Sequence, residues 1–200
     1  MNKKILKKQY FERGSTALKR VTSIDQEYYC CPLCQRLFIF QAVEEGILTL
    51  EHAPPEKVGG KALALTCKAC NSISGYSIDA AVVNRERMLD AAKAITGQNP
   101  NYEGKATIEM GGESINIKLV VNGGTVSLIP PEEINNPNKL EKYKTYLKNL
   151  SDQKKGDGEK FTITPRASYH LKHSKIGDLK TAFIICFALF GYKYGNRISD

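Results

Sequence analysis

Two pairs of closely spaced cysteines are the strongest chemical signal in this sequence of 200 residues. Cys31 and Cys34 form one C-x2-C pair, and Cys67 and Cys70 form another after an interval of 32 residues. Such a pair can curl the backbone so that both sulfurs face one ion, and four thiolates are a preferred donor set of tetrahedral Zn²⁺. The spacing therefore predicts a structural zinc site, with two unrelated pairs of buried thiols as the alternative.

The two remaining cysteines are expected to lie outside this site. Cys30 precedes Cys31 and could compete with it as a ligand, but the C-x2-C spacing favours Cys31. Cys186 lies in an apolar stretch and is interpreted as a core residue. A chain of this length can bury a core without disulfides, so the paired cysteines indicate metal binding in a reducing compartment.

Side chains suited to hydrolytic chemistry lie between and directly after the cysteine pairs. Glu51 and His52 follow an apolar, strand-like segment and precede Pro54-Pro55 and Gly59-Gly60, while Asn71 directly follows Cys70. Imidazole exchanges protons near neutral pH, and carboxylate and amide oxygens are ligands for hard cations such as Mg²⁺. A satisfied structural histidine and a simple turn at the two glycines are the alternatives.

The combined pattern resembles the HNH endonuclease family, in the branch with an EH…P…GG core and a CxxCN…G…ID ending. That ending is CKACNSISGYSID here, and the resemblance covers about residues 28–80. It implies a ββα-metal finger, in which a hairpin and a helix hold one catalytic Mg²⁺ or a similar divalent cation. By the same resemblance His52 would be the general base, and Glu51 and Asn71 would bind the cation.

One position departs from the family pattern. Ala62 stands where the family commonly has an asparagine that orients the loop carrying the base. The substitution concerns the geometry and rate of the reaction more than the set of cation ligands. It also supports an alternative, in which the finger fold persists as a nucleic-acid-binding module without catalysis.

The distribution of charge favours a polyanionic partner, which we expect to be DNA. The net charge is +8, and basic ends at residues 1–20 and 139–200 flank an acidic middle. Basic side chains contact phosphates, although exposed lysines often only solvate a helix surface. The candidate nucleic-acid-binding residues are Lys3, Lys4, Lys7, Lys8, Arg166, Lys172 and Lys175.

The sequence predicts no membrane span and a cytoplasmic protein. The longest apolar run, at about residues 182–192, is too short to cross a bilayer. The basic N-terminus lacks the apolar segment of a signal peptide.

The pattern of apolar residues predicts an α+β protein in three parts. Residues 1–26 form a basic amphipathic helix, residues 27–98 form the zinc-stabilised ββα-metal (HNH) finger, and residues 99–200 form an α+β extension. Alternation of period two, with Gly111-Gly112 and Asn122-Gly123 as turns, predicts a β-meander in the extension. The apolar segment at about 174–193 predicts a buried C-terminal helix.

These observations together lead to a functional hypothesis. We expect a metal-dependent HNH-type endonuclease that hydrolyses phosphodiester bonds in DNA. Two alternatives are a zinc-binding nucleic-acid-binding module without activity and a zinc-stabilised protein-interaction domain whose β-meander binds a partner.

Overall fold

The computed structural model describes residues 2–110, 112–152, 162–166 and 169–195. The chain divides into two compact units, one made of residues 1–84 and 169–200 and the other of residues 85–168. The boundaries expected from the sequence lay at residues 26/27 and 98/99. In the structure, the C-terminal helix, which we had assigned to the extension, belongs to the unit that contains the cysteines.

The first unit is built from short strands and from helices at both ends of the chain. Its elements, in chain order, are α1 (Lys3–Lys19), β1 (Tyr29–Cys30), β2 (Leu37–Phe38), α2 (Gln41–Glu44), β3 (Leu48–Ala53), β4 (Lys61–Cys67), α3 (Lys68–Ile73), a π-helical segment (Ser74–Asp79), the start of α4 (Ala80–Ile95), α6 (Leu171–Phe190) and α7 (Tyr192–Gly195). β1 pairs with β2 and β3 pairs with β4, both antiparallel. The first helix, Lys3–Lys19, lies within the predicted segment 1–26 and ends before it.

The helix α1 is anchored at its start despite its lysines. The side chain of Asn2 accepts a hydrogen bond from the backbone N–H of Lys4 at 2.9 Å, which caps the first turn. Phe11 and Leu18 are buried, and Phe11 belongs to a core cluster with Tyr29, Leu48 and Leu65. The Tyr29 hydroxyl donates to the carbonyl of Leu65 at 2.8 Å, so the core joins α1 to β1 and β4.

The helix α6 packs on this unit through one face. Ser174, Gly177 and Ile184 are buried, and a Cβ on Gly177 would lie 2.3 Å from Cγ2 of Val82, so α6 approaches α4 closely there. Leu179 and Leu189 are 71% and 72% exposed. The prediction of a buried C-terminal helix therefore holds for one face of α6 and is wrong for the others. Apolar residues occur all round the helix, but the neighbouring elements pack against only one side of it.

The second unit is a four-stranded antiparallel sheet with a helix. The strands β5 (Asn101–Met110), β6 (Glu113–Asn122), β7 (Thr125–Ile129) and β8 (Thr162–Pro165) lie in the order β7-β6-β5-β8, and α5 (Pro137–Asp152) precedes β8. One face of the sheet forms a core with Leu140 and Tyr143 of α5. The predicted β-meander is present as β5-β6-β7, and β8 extends it at the β5 edge.

No helix in the described parts of the chain combines the length and the apolar character that crossing a bilayer requires.

Candidate metal centre and the adjoining polar cluster

The four cysteines of the two C-x2-C pairs converge at one point. Their Sγ atoms all lie within 4.8 Å of one another, and Cys34 Sγ lies 3.7 Å from Cys67 Sγ. Thiolates around tetrahedral Zn²⁺, at Zn–S of about 2.3 Å, are about 3.8 Å apart. The predicted ligand set is therefore brought together in a geometry that could hold a metal ion such as zinc.

Local backbone geometry shapes the first pair of thiols. The N–H of Cys31 donates to the carbonyl of Arg36 at 2.9 Å, and the N–H of Gln35 donates to the carbonyl of Cys31 at 2.8 Å. Gln35 completes this turn with a φ of 59°, in the left-handed region. The N–H of Cys67 also donates to Cys31 Sγ at 3.4 Å, so the second pair is tied to the first.

The other two cysteines lie outside the cluster, as the spacing predicted. The backbone N–H and carbonyl of Cys30 both bond to the Tyr192 hydroxyl, at 3.0 and 2.7 Å, and burial raises the pKa of the Cys30 thiol to about 11. Cys186 is half-buried on α6.

Three of the four clustered thiols have pKa values shifted from the usual value of a cysteine. Burial raises the pKa of the Cys31 and Cys70 thiols. Burial also acts to raise the pKa of the Cys34 thiol, but hydrogen bonds from the backbone of Arg36 and from neighbouring thiols lower it. A metal must displace the protons from these sulfurs, so we expect metal affinity to fall as the pH falls.

The hairpin β3-β4 and the helix α3 place Glu51 and Asn71 against one set of threonines. Asn71 Nδ2 donates to Thr49 Oγ1 at 2.8 Å and to the carbonyl of Leu50 at 3.2 Å. Thr66, which lies opposite Thr49 in the register, donates from Oγ1 to Glu51 Oε2 at 2.9 Å. These bonds hold the Asn71 amide by its nitrogen, so Oδ1 remains the amide atom that can accept a hydrogen bond or bind a cation.

The buried carboxylate of Glu51 has a lysine as its counterion. Glu51 is 2% exposed, and Lys180 Nζ from α6 lies 2.7 Å from its Oε1. The same ammonium lies 2.8 Å from Asp79 Oδ2, at the end of the π-helical segment. Asp79 thus lies in continuous helix and pairs with Lys180.

Sequence reasoning missed Lys180 because its partner Glu51 is 129 positions away in the chain. The available signal was a lysine in a stretch that is otherwise mostly apolar, from Ile176 to Tyr192. A charge in an apolar helix is rarely buried without a partner, so this pattern could have suggested an acidic neighbour.

His52 lies next to Glu51, at an irregularity of the hairpin. The register shifts between Glu51 and His52, because β4 contributes an extra residue, Leu63, opposite this step. The His52 side chain is 23% exposed, and its Nε2 lies 4.0 Å from Oε2 of Glu56. Ala62 is paired with His52 in the register, so the departure from the family pattern lies directly across the hairpin from the candidate base.

Two glycines close the loop between His52 and β4. Gly59 has a φ of +85°, and a Cβ added to it would meet no atom within 4 Å. A Cβ on Gly60 would lie 1.5 Å from the Pro54 carbonyl oxygen. The turn expected at this pair is therefore present.

We expect Gly60→Ala to destabilise the protein by about 1–3 kcal/mol, because the loop backbone must move to admit the methyl group. Chemical denaturation of the metal-loaded protein measures this change. Gly59→Asn is the matched control, since asparagine tolerates the left-handed region. Equal stability of the two variants would contradict the role of close packing at Gly60.

The candidate nucleic-acid-binding residues are divided between the two units. Lys3, Lys4, Lys172 and Lys175 are exposed in the first unit, and Arg166 is exposed in the second. Lys7 Nζ donates to the carbonyl of Leu48 at 3.1 Å, and Lys8 lies 3.8 Å from Glu12.

Comparison of the chain with protein-family models, with curated proteins and with solved structures finds no match.

Proposed function

We propose that this protein is a metal-dependent endonuclease of the HNH type that hydrolyses phosphodiester bonds in DNA. The observation that carries the proposal is one continuous unit, β3-β4-α3, whose first strand bears Glu51 and His52 and whose helix bears Asn71. The four-thiol cluster joins the end of β4 and the start of α3 to the turn after β1. Structural zinc at this cluster would hold the hairpin and the helix together.

In the proposed reaction His52 is the general base. The neutral imidazole accepts a proton from the water that attacks the scissile phosphorus. Glu56, 4.0 Å away, is the carboxylate that can orient the ring across the loop, at a position where Ala62 offers no polar side chain. Glu56 would then supply the orientation that the family's asparagine supplies elsewhere.

Glu51 and Asn71 are the proposed cation ligands. Their oxygens are chemically suited to Mg²⁺, which when bound would stabilise charge on the phosphoryl group and on the leaving oxygen. Lys180 now neutralises Glu51, so a cation at this carboxylate requires the ammonium to shift to Asp79, its second partner.

The contact between Glu51 and Lys180 favours a second candidate function. The Lys180 ammonium lies 2.7 Å from Glu51, a proposed metal ligand, and so lies where the catalytic cation would bind. In this second candidate the unit is a zinc-stabilised nucleic-acid-binding module without hydrolytic activity.

Nicking of supercoiled plasmid tests the proposal. We expect the wild-type protein to nick plasmid with Mg²⁺ or Mn²⁺, and His52→Ala to lower the rate by about 10²- to 10⁴-fold, the range typical of a lost general base. His173→Ala, which changes a histidine on α6, is the matched control and should keep the wild-type rate.

The outcomes separate the two candidates. Equal nicking by wild type and His52→Ala would contradict the role of His52. Absence of nicking, with DNA affinity retained at low salt, would support the non-catalytic module. Absence of DNA affinity at low salt would overturn both.

A further inference from the structure

The second unit carries a row of cations across the outer face of its sheet. Lys105 of β5 and Lys118 of β6 are direct partners in the register, and the N–H of Arg166 donates to the Lys105 carbonyl at 2.8 Å, which continues the β5-β8 pairing. Lys118, Lys105 and Arg166 therefore lie side by side on three neighbouring strands. The alternate residues Ala106 and Ile117 point to the core on the other face.

Such a row is unfavourable for the sheet by itself. Side chains that are directly opposite in antiparallel strands have Cβ atoms about 5 Å apart, and like charges at this spacing destabilise the pairing. A carboxylate offsets one of the charges, since Glu103 lies 2.8 Å from Lys118 Nζ. Among the described residues no carboxylate pairs with Lys105 or Arg166, so the row retains positive charge that an external anion can neutralise.

The same residues line a cavity of about 520 Å³. Arg87 of α4 adds a fourth cation to its lining, and Pro131 and Ile134 add apolar surface. Tyr102 also lines the cavity, but its ring packs against the core on the other face of the sheet. Arg166 is positioned for the cavity by its Nε, which donates to Thr107 Oγ1 at 3.1 Å and leaves the two Nη groups for a ligand. The volume is within the range of pockets that bind small molecules or single nucleotides.

We propose that this cavity binds the backbone of single-stranded nucleic acid, with phosphates on Lys105, Lys118 and Arg166 and a base against Pro131 or Ile134. A positively charged groove that follows the backbone is a common feature of single-strand-binding proteins, and Pro131 and Ile134 supply apolar surface against which a base can pack. A single strand fits better than a duplex, because bases stacked inside a duplex cannot enter a cavity. The inference rests on the proposed function in one respect, which is that the anionic ligand of the cavity is taken to be a nucleic acid.

Fluorescence anisotropy with a labelled oligothymidine of 15 nucleotides tests this site in the full-length, metal-loaded protein. The triple variant Lys105→Ala, Lys118→Ala, Arg166→Ala should bind at least tenfold more weakly at low salt. Its slope of log affinity against log salt should fall by about 2, at roughly 0.7 for each lost phosphate contact on a single strand. Removal of adjacent like charges should leave thermal stability unchanged or higher, which excludes unfolding as the cause.

The matched control removes three lysines of α5, Lys139→Ala, Lys142→Ala, Lys144→Ala. Their partners are Glu113 and Glu132, and none of the three lines the cavity, so this variant should bind like the wild type. Equal losses in both triple variants would show a nonspecific charge effect and overturn the site. Wild-type affinity in the variant that lacks Lys105, Lys118 and Arg166 would also overturn the site. Tighter binding of duplex DNA or of an acidic peptide at this cavity would overturn it as well.

The result is independent of catalysis. Oligonucleotide binding is measured with zinc present but without Mg²⁺ or Mn²⁺, so no cleavage contributes to the affinity. Binding that depends on the cation row, in a protein that nicks no plasmid, would overturn the endonuclease and support this site. If the wild type nicks plasmid and the triple variant binds the oligonucleotide as tightly as the wild type, the endonuclease is supported and this binding site is overturned.

Discussion

We expect the four-thiol cluster to hold zinc, and removal of that zinc to unfold the cysteine-containing unit. Structural Zn²⁺ in small domains contributes about 10–16 kcal/mol of apparent binding free energy, which is comparable to or larger than the roughly 5–15 kcal/mol that stabilises a whole domain. The cluster of four thiols joins the turn after the two-residue strand β1 to the end of β4 and the start of α3. Without an ion, this region would be stabilised mainly by the hydrophobic cluster around Phe11, Tyr29 and Leu48.

The measurement combines elemental analysis with circular dichroism before and after chelation. We expect about one zinc per chain in the wild type, its loss in the double variant Cys31→Ser, Cys67→Ser, and its retention in Cys186→Ser. The second unit has a separate core around Ile108 and Leu119, so its strand signal should survive chelation. A first unit that stays folded with no bound metal would contradict a structural role for the site.

Lys180→Ala should destabilise the protein by about 3–5 kcal/mol, the usual cost of removing one partner of a buried ion pair. The Glu51 carboxylate is 2% exposed in the wild type, and without Lys180 its remaining hydrogen-bond donor among the described residues would be Thr66. The Asp79 carboxylate loses the same counterion. Thermal and chemical denaturation of the metal-loaded variant measure the change.

A second substitution shows whether the charge causes the loss. Glu51→Gln combined with Lys180→Met removes both members of the pair and should recover much of the stability, since an uncharged pair of similar volume needs no counterion. Lys144→Ala is the control, because its pair with Glu132 is exposed and should contribute less than about 1 kcal/mol. Strict additivity of Glu51→Gln and Lys180→Met, each also measured alone, would contradict a direct interaction between Glu51 and Lys180.

These variants also bear on the proposed reaction. If Glu51 binds the catalytic cation, Mn²⁺ should raise the melting temperature of Lys180→Met more than that of the wild type, because the competing ammonium is absent. No difference between the two would favour the non-catalytic module.

The sequence by itself determined the features that depend on local spacing. The four clustered cysteines could be identified because each C-x2-C pair forms its own turn, and Cys31 could be chosen over Cys30 for the same reason. The strands β5, β6 and β7 could be predicted because alternation of period two needs no knowledge of distant partners. The order of Glu51, His52 and Asn71 along the chain supported a hypothesis about function.

Only the tertiary structure decided which distant side chains meet. The pairing of Lys180 with Glu51 and Asp79 joins α6 to the hairpin, and no pattern within either segment encodes that contact. The row of Lys118, Lys105 and Arg166 depends on strand register, in which a shift of one residue would turn a side chain to the other face. Partial exposure of α6 has a similar cause. Its apolar sequence shows which side chains could be buried, but the neighbouring elements determine which of them are buried.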